Sequence, residues 1–237
     1  MREPILFGWS GGKDSSLGLQ AVLKNPALEV RALLTTVTDE YDRISMHGVR
    51  CSLLEQQAEA LGLPLEKIGI PPHCSNELYE QKMEAAMLKH KAAGVRRMAF
   101  GDLFLEDIRA YRDKNLAKVG MEAIYPVWGK NTTALAREFI RDGFKTILVC
   151  IDPKQINPSF CGRDFDEALL NDLPATCDPC GENGEFHTFV YDGPIFKKPV
   201  GVSKGEIVER DGFWFCDLLP NSRESTARSD RGPARSF

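Results

Sequence analysis

The chain reads as an α/β protein, a doubly wound parallel sheet with a second, smaller α+β domain. Three observations predict this. Short apolar or β-branched runs alternate with helical segments through the first half of the chain. Glycine or proline closes most of the helical segments. Past Pro126 the alternation gives way to long loops and three strand-like runs, two of them separated by the hairpin signal Arg210-Asp211-Gly212.

Ile5-Leu6-Phe7 is the first strand. Helix 1 is expected over about Asp14–Lys24, where Asn25-Pro26 stops it. Val30–Val37 is a buried strand by its β-branched content, and Thr38–Gly48 a polar loop. Leu54, Ala58 and Leu61 share one face of helix 2, which Gly62 ends. Leu65–Ile70 is a strand closed by Pro71-Pro72. Ser75 caps helix 3, whose stripe is Tyr79, Met83, Ala86 and Met87. Arg97–Gly101 and Ala123–Tyr125 are the last strands of the first sheet, flanking a charged loop and helix over Asp102–Lys118. In the second half, Thr132 or Thr133 opens a helix and Thr146–Ile151 is a strand. Residues 152–184 are mostly loop with a short helix near Phe165–Leu170. Glu185–Tyr191, Val200–Glu209 and Phe213–Leu218 are strands. The expected divisions are 1–127 and 128–219 for the two domains, and 220–237 for a disordered Ser/Arg-rich tail.

Net charge is −4, with 43% hydrophobic and 27% charged residues, so no general affinity for nucleic acid or membranes is implied. No apolar run reaches membrane-spanning length. The first residues lead straight into a strand, so no secretory leader is expected. Seven cysteines scattered through an α/β pattern read as reduced thiols in a cytoplasm. The oligomeric state is left open.

The segment Ser10-Gly11-Gly12-Lys13-Asp14-Ser15-Ser16 joins the first strand to helix 1. A turn there aims backbone N–H groups from a helix N-terminus, where the macrodipole favours anions. Gly11 and Gly12 admit close approach, the serines add hydroxyl donors, and Lys13 adds a positive charge. The segment is not a Walker A loop, because Phe7 stands where that pattern needs glycine and Asp14 where it needs Ser or Thr. Ligands of parallel sheets bind at the carboxyl ends of strands. That rule gathers Ser10–Ser16, Thr35–Glu40 and Gly101–Glu106 around one crevice. Asp102 and Glu106 are candidates for binding magnesium, positioning a nucleophile or acting as base; Asp107 fits a solvated helix face. Arg109, Arg112 and Asp113 read as surface ion pairing. Alternation in the strand would put Glu185 and His187 on one side. Among the loop histidines, His47 is the site candidate. Cys177-Asp178-Pro179-Cys180 is a lone Cys-x-x-Cys, a weak zinc signal without a second pair.

The front string resembles the Ser-Gly-Gly-x-Asp-Ser signature of PP-loop ATP pyrophosphatases. Together with Gly101-Asp102-Leu103-Phe104-Leu105-Glu106-Asp107 and Gly181-Glu182-Asn183-Gly184-Glu185-Phe186-His187-Thr188-Phe189, it resembles the diphthine–ammonia ligase (diphthamide synthase) family, specifically its bacterial branch. The resemblance covers about residues 4–219. It implies two domains and a reaction in which a carboxylate attacks the α-phosphate of ATP, pyrophosphate leaves, and ammonia displaces AMP to give an amide. Asn183, Phe186 and His187 depart from the Gly-Glu-Gly-Gly-Glu-Tyr-Glu-Thr form of members acting on diphthine, and bacteria do not carry diphthamide. The expected acceptor is therefore a different carboxylate, small molecule or protein.

On this reading Ser10, Gly11, Gly12, Lys13, Asp14, Ser15, Ser16, Thr35 and Gly101 bind ATP. Lys13, Asp14, Asp102 and Glu106 are catalytic, with Lys13 neutralising the departing pyrophosphate. His47, Glu182, Glu185 and His187 bind substrate. No dedicated metal ligands are assigned; Mg²⁺ accompanies ATP, held mostly by its phosphates. Two alternatives stand beside the ligase: sulfur transfer through Cys177 and Cys180, and a non-catalytic ATP-binding module.

Overall fold

A computed structural model of the chain describes residues 2–40, 43–44 and 48–221. Its first half contains β1 (Glu3–Gly8), α1 (Lys13–Leu23), β2 (Leu28–Thr38), β3 (Arg43–Ile44), α2 (Cys51–Leu61), β4 (Leu65–Ile70), α3 (Asn76–Ala92), β5 (Arg97–Ala99), α4 (Glu106–Lys118) and β6 (Glu122–Ile124). Its second half contains α5 (Thr132–Arg141), β7 (Lys145–Ile151), a 3-10 turn at Pro158–Phe160, α6 (Glu167–Asp172), β8 (Phe186–Asp192), β9 (Val202–Arg210) and β10 (Phe213–Pro220).

Five strands pair in parallel in the order β4-β2-β1-β5-β6. From β1 the chain moves outward through β2 to β4, then returns to place β5 on the other flank of β1. The order reverses there, and the crevice at the carboxyl ends of β1 and β5 is the expected ligand position. Both faces of the sheet are covered, which is why Ile5-Leu6-Phe7 is continuously apolar. Ile5 and Phe7 face α1, α2 and α5, in a cluster with Leu19, Leu53, Leu54 and Phe139. Leu6 faces the other way, with Leu34 and Met98, under Ala86 and Met87 of α3 and Leu116 of α4.

The second sheet is antiparallel, in the order β8-β7-β10-β9. Ile147, Phe189 and Leu218 join the same buried cluster as Phe7 and Leu19. The helices α1, α2 and α5 therefore lie between the two sheets. Within the cluster, Phe139 stacks on Phe144 at 4.5 Å and meets Phe165 edge-on at 5.8 Å. This three-ring contact ties α5 to the loop before α6.

Most expected elements are present, within a residue or two at their ends. Ser75 caps α3 by accepting a hydrogen bond from Leu78 N–H at 3.3 Å. Besides the 3-10 turn at Pro158–Phe160, one element was not expected. β3 sits within the segment read as a polar loop and pairs antiparallel with Val37 and Thr38. Two residues carry too little alternation to announce a strand. β10 runs through Pro220, one residue into the expected tail; residues 222–237 and His47 lie outside the described residues. Among the described residues no helix is long and apolar enough to cross a membrane.

Candidate active site

The loop after β1 is built by its own serines and by groups from far along the chain. Gly11 turns the backbone at φ +78°, a conformation in which a side chain would be strained. Gly12 is the N-cap of α1 and offers no side-chain cap. The Ser15 and Ser16 hydroxyls each donate to Gly12 O at 2.9 Å. Ser10 Oγ donates to Ser15 Oγ at 3.1 Å and accepts from Gly12 N–H at 3.3 Å.

From outside the loop, fully buried Gln57 of α2 makes three contacts. Its Nε2 donates to Gly11 O at 2.9 Å and to Val190 O at 2.6 Å. Its Oε1 accepts from Trp9 Nε1–H at 3.1 Å. β8, an edge strand of the second sheet, adds Val190 N–H to Gly11 O at 2.9 Å. Thr188 Oγ1 accepts from Lys13 N–H at 3.0 Å. The phosphate loop thus covers part of an otherwise open sheet edge, and the edge in turn holds the loop.

Lys13 is 0% exposed and ion-paired with Asp14. Burial lowers its pKa, but Asp14, Cys180 and Glu182 outweigh that and leave the ammonium more firmly charged than a free lysine. Its Nζ also lies 6.0 Å from the centroid of the Phe165 ring. Asp14 itself lines the cavity.

That cavity measures about 700 Å³ and occupies the crevice between β1 and β5. Ser10, Gly12, Asp14 and Ser15 form one wall, Thr35 and Gly101–Asp102 a second, and the Cys180–Gly184 loop with His187 and Thr188 a third. Thr35 donates its hydroxyl to Trp9 O, fixing β2 against the chain just past β1. The floor is apolar: Ile68, Met83, Met98 and Phe100. A Cβ on Gly101 would stand 2.5 Å from Asp14 O, so glycine here lets β5 meet the first turn of α1. That contact is with the helix backbone, a different reason for the glycine than approach to a nucleotide.

Asp102 is ion-paired with Arg112, whose Nε lies 2.7 Å from Oδ2. The Arg112 guanidinium also stacks over Phe100 at 4.2 Å. Arg112 therefore belongs to the cavity wall rather than to a solvated helix face. Arg109 does pair with Asp113, at 3.7 Å.

The late motif carries two glutamates, only one of which lines the cavity. Glu185 is 1% exposed, and its carboxylate accepts from Asp178 N–H at 2.8 Å, Asn183 N–H at 2.9 Å and Asn183 Nδ2 at 3.0 Å. Glu182 lines the cavity. Burial first, then the negative charges of Asp14, Asp178 and Asp102, push its pKa well above the ordinary carboxylate range, with Lys13 opposing. Burial also holds His187 below its usual value, so its imidazole is neutral at pH 7. Cys177 and Cys180 are buried thiols pushed up to about 12 by burial.

Of the residues expected at the site, Ser10, Gly12, Asp14, Ser15, Thr35, Gly101, Asp102, Glu182 and His187 meet around this one cavity. Gly11, Lys13 and Ser16 lie behind its wall as the support of the loop. Two expectations are corrected. Glu185 does not share the cavity with His187, because β8 begins only at Phe186 and strand alternation does not extend back to it. Glu106 is exposed on the first turn of α4 and does not line the cavity, although Leu105 and Ile108 on either side do. Gln57, Arg112 and Thr188 were not anticipated as site residues. A threonine closing the glycine-rich late motif was the only local hint.

The site suits a nucleoside triphosphate: a helix N-terminus for phosphate and an apolar floor for a planar base. Among the described residues no group of three His, Cys, Asp or Glu side chains could hold a metal ion. Asp14 and Asp102 are each engaged by a cation. A magnesium ion would therefore be held through the phosphates, with Asp14 the nearest carboxylate to the loop.

Residues 1–123 match the family model described as "Diphthamide synthase N-terminal domain", and residues 131–219 match "Diphthamide synthase C-terminal domain". "Diphthine--ammonia ligase" of Bos taurus is 27% identical over 231 residues, covering 88% of this chain and 86% of the relative. The Homo sapiens protein of that name is 26% identical over 221 residues, covering 84% and 82%. A solved structure, "The crystal structure of predicted subunit of tRNA methyltransferase from Methanocaldococcus jannaschii DSM", overlays with a TM-score of 0.40 and 18% identity, over 84% of this chain and 100% of that one; the likeness carries no functional conclusion.

Proposed function

Because the chain belongs to the diphthamide synthase family, we propose that it is an ATP-dependent, AMP-forming ligase that adenylates a carboxylate and converts it to an amide with ammonia. The observation that carries this reading is the single cavity joining the phosphate loop to Asp102, Glu182 and His187. One side is built to hold phosphates and the other to handle an amine and its protons.

In this scheme the acceptor carboxylate attacks the α-phosphorus and the bond to the β-phosphate oxygen breaks. The α1 N-terminus holds the phosphates, while the buried Lys13–Asp14 pair sets the charge behind them. Mg²⁺, when bound with ATP, neutralises phosphate charge. Ammonia then attacks the acyl carbon and AMP leaves. Neutral His187 takes the proton lost from nitrogen. Asp102, held by Arg112, orients the incoming amine.

The acceptor on this reading is a carboxylate other than diphthine, small molecule or protein, as expected of the bacterial branch. His187 stands where members acting on diphthine carry glutamate. We assign the activity to the cytoplasm. Sulfur transfer is disfavoured because thiolate is the nucleophilic form, and burial holds Cys177 and Cys180 as thiols.

The test is pyrophosphate release from ATP, Mg²⁺ and ammonium across a panel of carboxylic acids, with wild type beside Lys13→Met. An acid that triggers release in wild type, with a rate lower by about 10²–10³ in the variant, supports the ligase. ATP binding without release for any acid or protein acceptor turns the reading to a binding module. Release of free phosphate instead of pyrophosphate removes the adenylation scheme.

A further inference from the structure

We propose that Thr188 is a phosphate-binding residue contributed by the C-terminal sheet, relaying the first N–H of α1 to the nucleotide through its hydroxyl. The proposal rests on the reading of the cavity as an ATP site.

Thr188 Oγ1 accepts Lys13 N–H at 3.0 Å and is 4% exposed, yet it lines the cavity. A hydroxyl that accepts one hydrogen bond keeps its own proton for another. The other two buried threonines use that proton within the protein. Thr35 donates to Trp9 O, and Thr146 donates to Phe189 O at 2.7 Å. The Thr188 hydroxyl donates to no atom of the described residues. Its acceptor is then whatever anion occupies the cavity.

The placement has an electrostatic consequence. Lys13 opens α1, so its N–H is one of the helix's unpaired donors and carries part of the positive end of the macrodipole. Gly12 supplies no side-chain cap, and Thr188 fills that role from 175 residues further along the chain. Accepting from a polarised donor makes the hydroxyl a stronger donor in turn. The positive end of α1 is thus carried outward by one hydroxyl to the phosphate. Val190, two residues on, donates to Gly11 O at 2.9 Å and fixes the register of β8 against the loop.

Equilibrium binding of ATP and of adenosine to the full chain tests the relay, with wild type, Thr188→Val and Thr188→Ser. Valine matches threonine in shape and strand propensity but has no hydroxyl; serine restores it. The expected result is a Kd for ATP raised about tenfold or more in Thr188→Val and within about twofold of wild type in Thr188→Ser, with adenosine binding equal in all three. Wild-type ATP affinity in Thr188→Val overturns the relay. Equal loss of ATP and adenosine overturns it as well, because the residue is then merely structural. If wild type binds adenosine but gains nothing from the phosphates, the ATP reading of the cavity falls, and the relay with it.

Discussion

The phosphate loop and the late Asp178–Glu185 loop both turn on glycines at the rim of one cavity, but they are held in opposite ways. The phosphate loop has no buried carboxylate at its centre. Its shape comes from serine hydroxyls on Gly12 O and from Gln57 and Val190 gripping Gly11 O. The late loop closes around one carboxylate, Glu185, which gathers three N–H donors. Asp178 supports it by accepting from Cys180 N–H at 2.8 Å and from Thr132 Oγ1 at 2.6 Å. The phosphate loop turns its serine hydroxyls onto its own backbone and is braced from behind by Gln57 and Val190. The late loop turns its donors inward onto its own carboxylate. The same contrast separates Glu185 from Glu182: three donors hold one within the loop's frame, while burial beside other carboxylates tightens the other's hold on its proton.

The largest expected effect on this contrast is at Glu185. Glu185→Ala removes a buried carboxylate that three donors share, and should cost on the order of 3 kcal/mol in denaturant unfolding. Loss under about 1 kcal/mol would mean the late loop does not depend on its carboxylate. Gly11→Ala strikes the other loop. The new Cβ would sit 2.6 Å from Gln57 Oε1 at a positive φ, so a loss of about 1–3 kcal/mol is expected, with weakened ATP binding. Unchanged stability would show that the brace from Gln57 is slack.

The smallest effect is on pH dependence. The folded protein holds the Glu182 proton more tightly than the unfolded chain does. The stability this contributes is complete below the ordinary glutamate value and is lost as pH rises through the folded value. Glu182→Gln cannot ionise, so its stability should fall less than that of wild type between about pH 5 and about pH 8. Parallel curves for the two proteins would place Glu182 in a solvated setting, and the difference between the two glutamates would vanish.

Local pattern determined the parallel sheet, the turn at Gly11-Gly12 and the start of α1, because each rests on neighbours within one element: an apolar run buried on both faces, glycines where φ is positive or the helix begins. The same local logic placed Ser10, Asp14 and Thr35 at strand ends and so at the crevice. Reading outward from an element misled. Alternation carried back from β8 overreached to Glu185, and helical spacing made Arg112 a surface partner when it turns back to Asp102. β3 was too short to carry a pattern of its own.

Tertiary structure alone decided what holds the site. Gln57 looks like any polar residue of a helix, yet it bridges groups 46 and 133 positions away. Thr188 caps a helix that begins 175 residues earlier. A hydrogen bond is satisfied by whatever donor or acceptor packing brings within about 3 Å, and sequence distance has no part in that. The sequence determined which groups could bind phosphate; docking of the second sheet's edge on the loop decided which donors remain to do so.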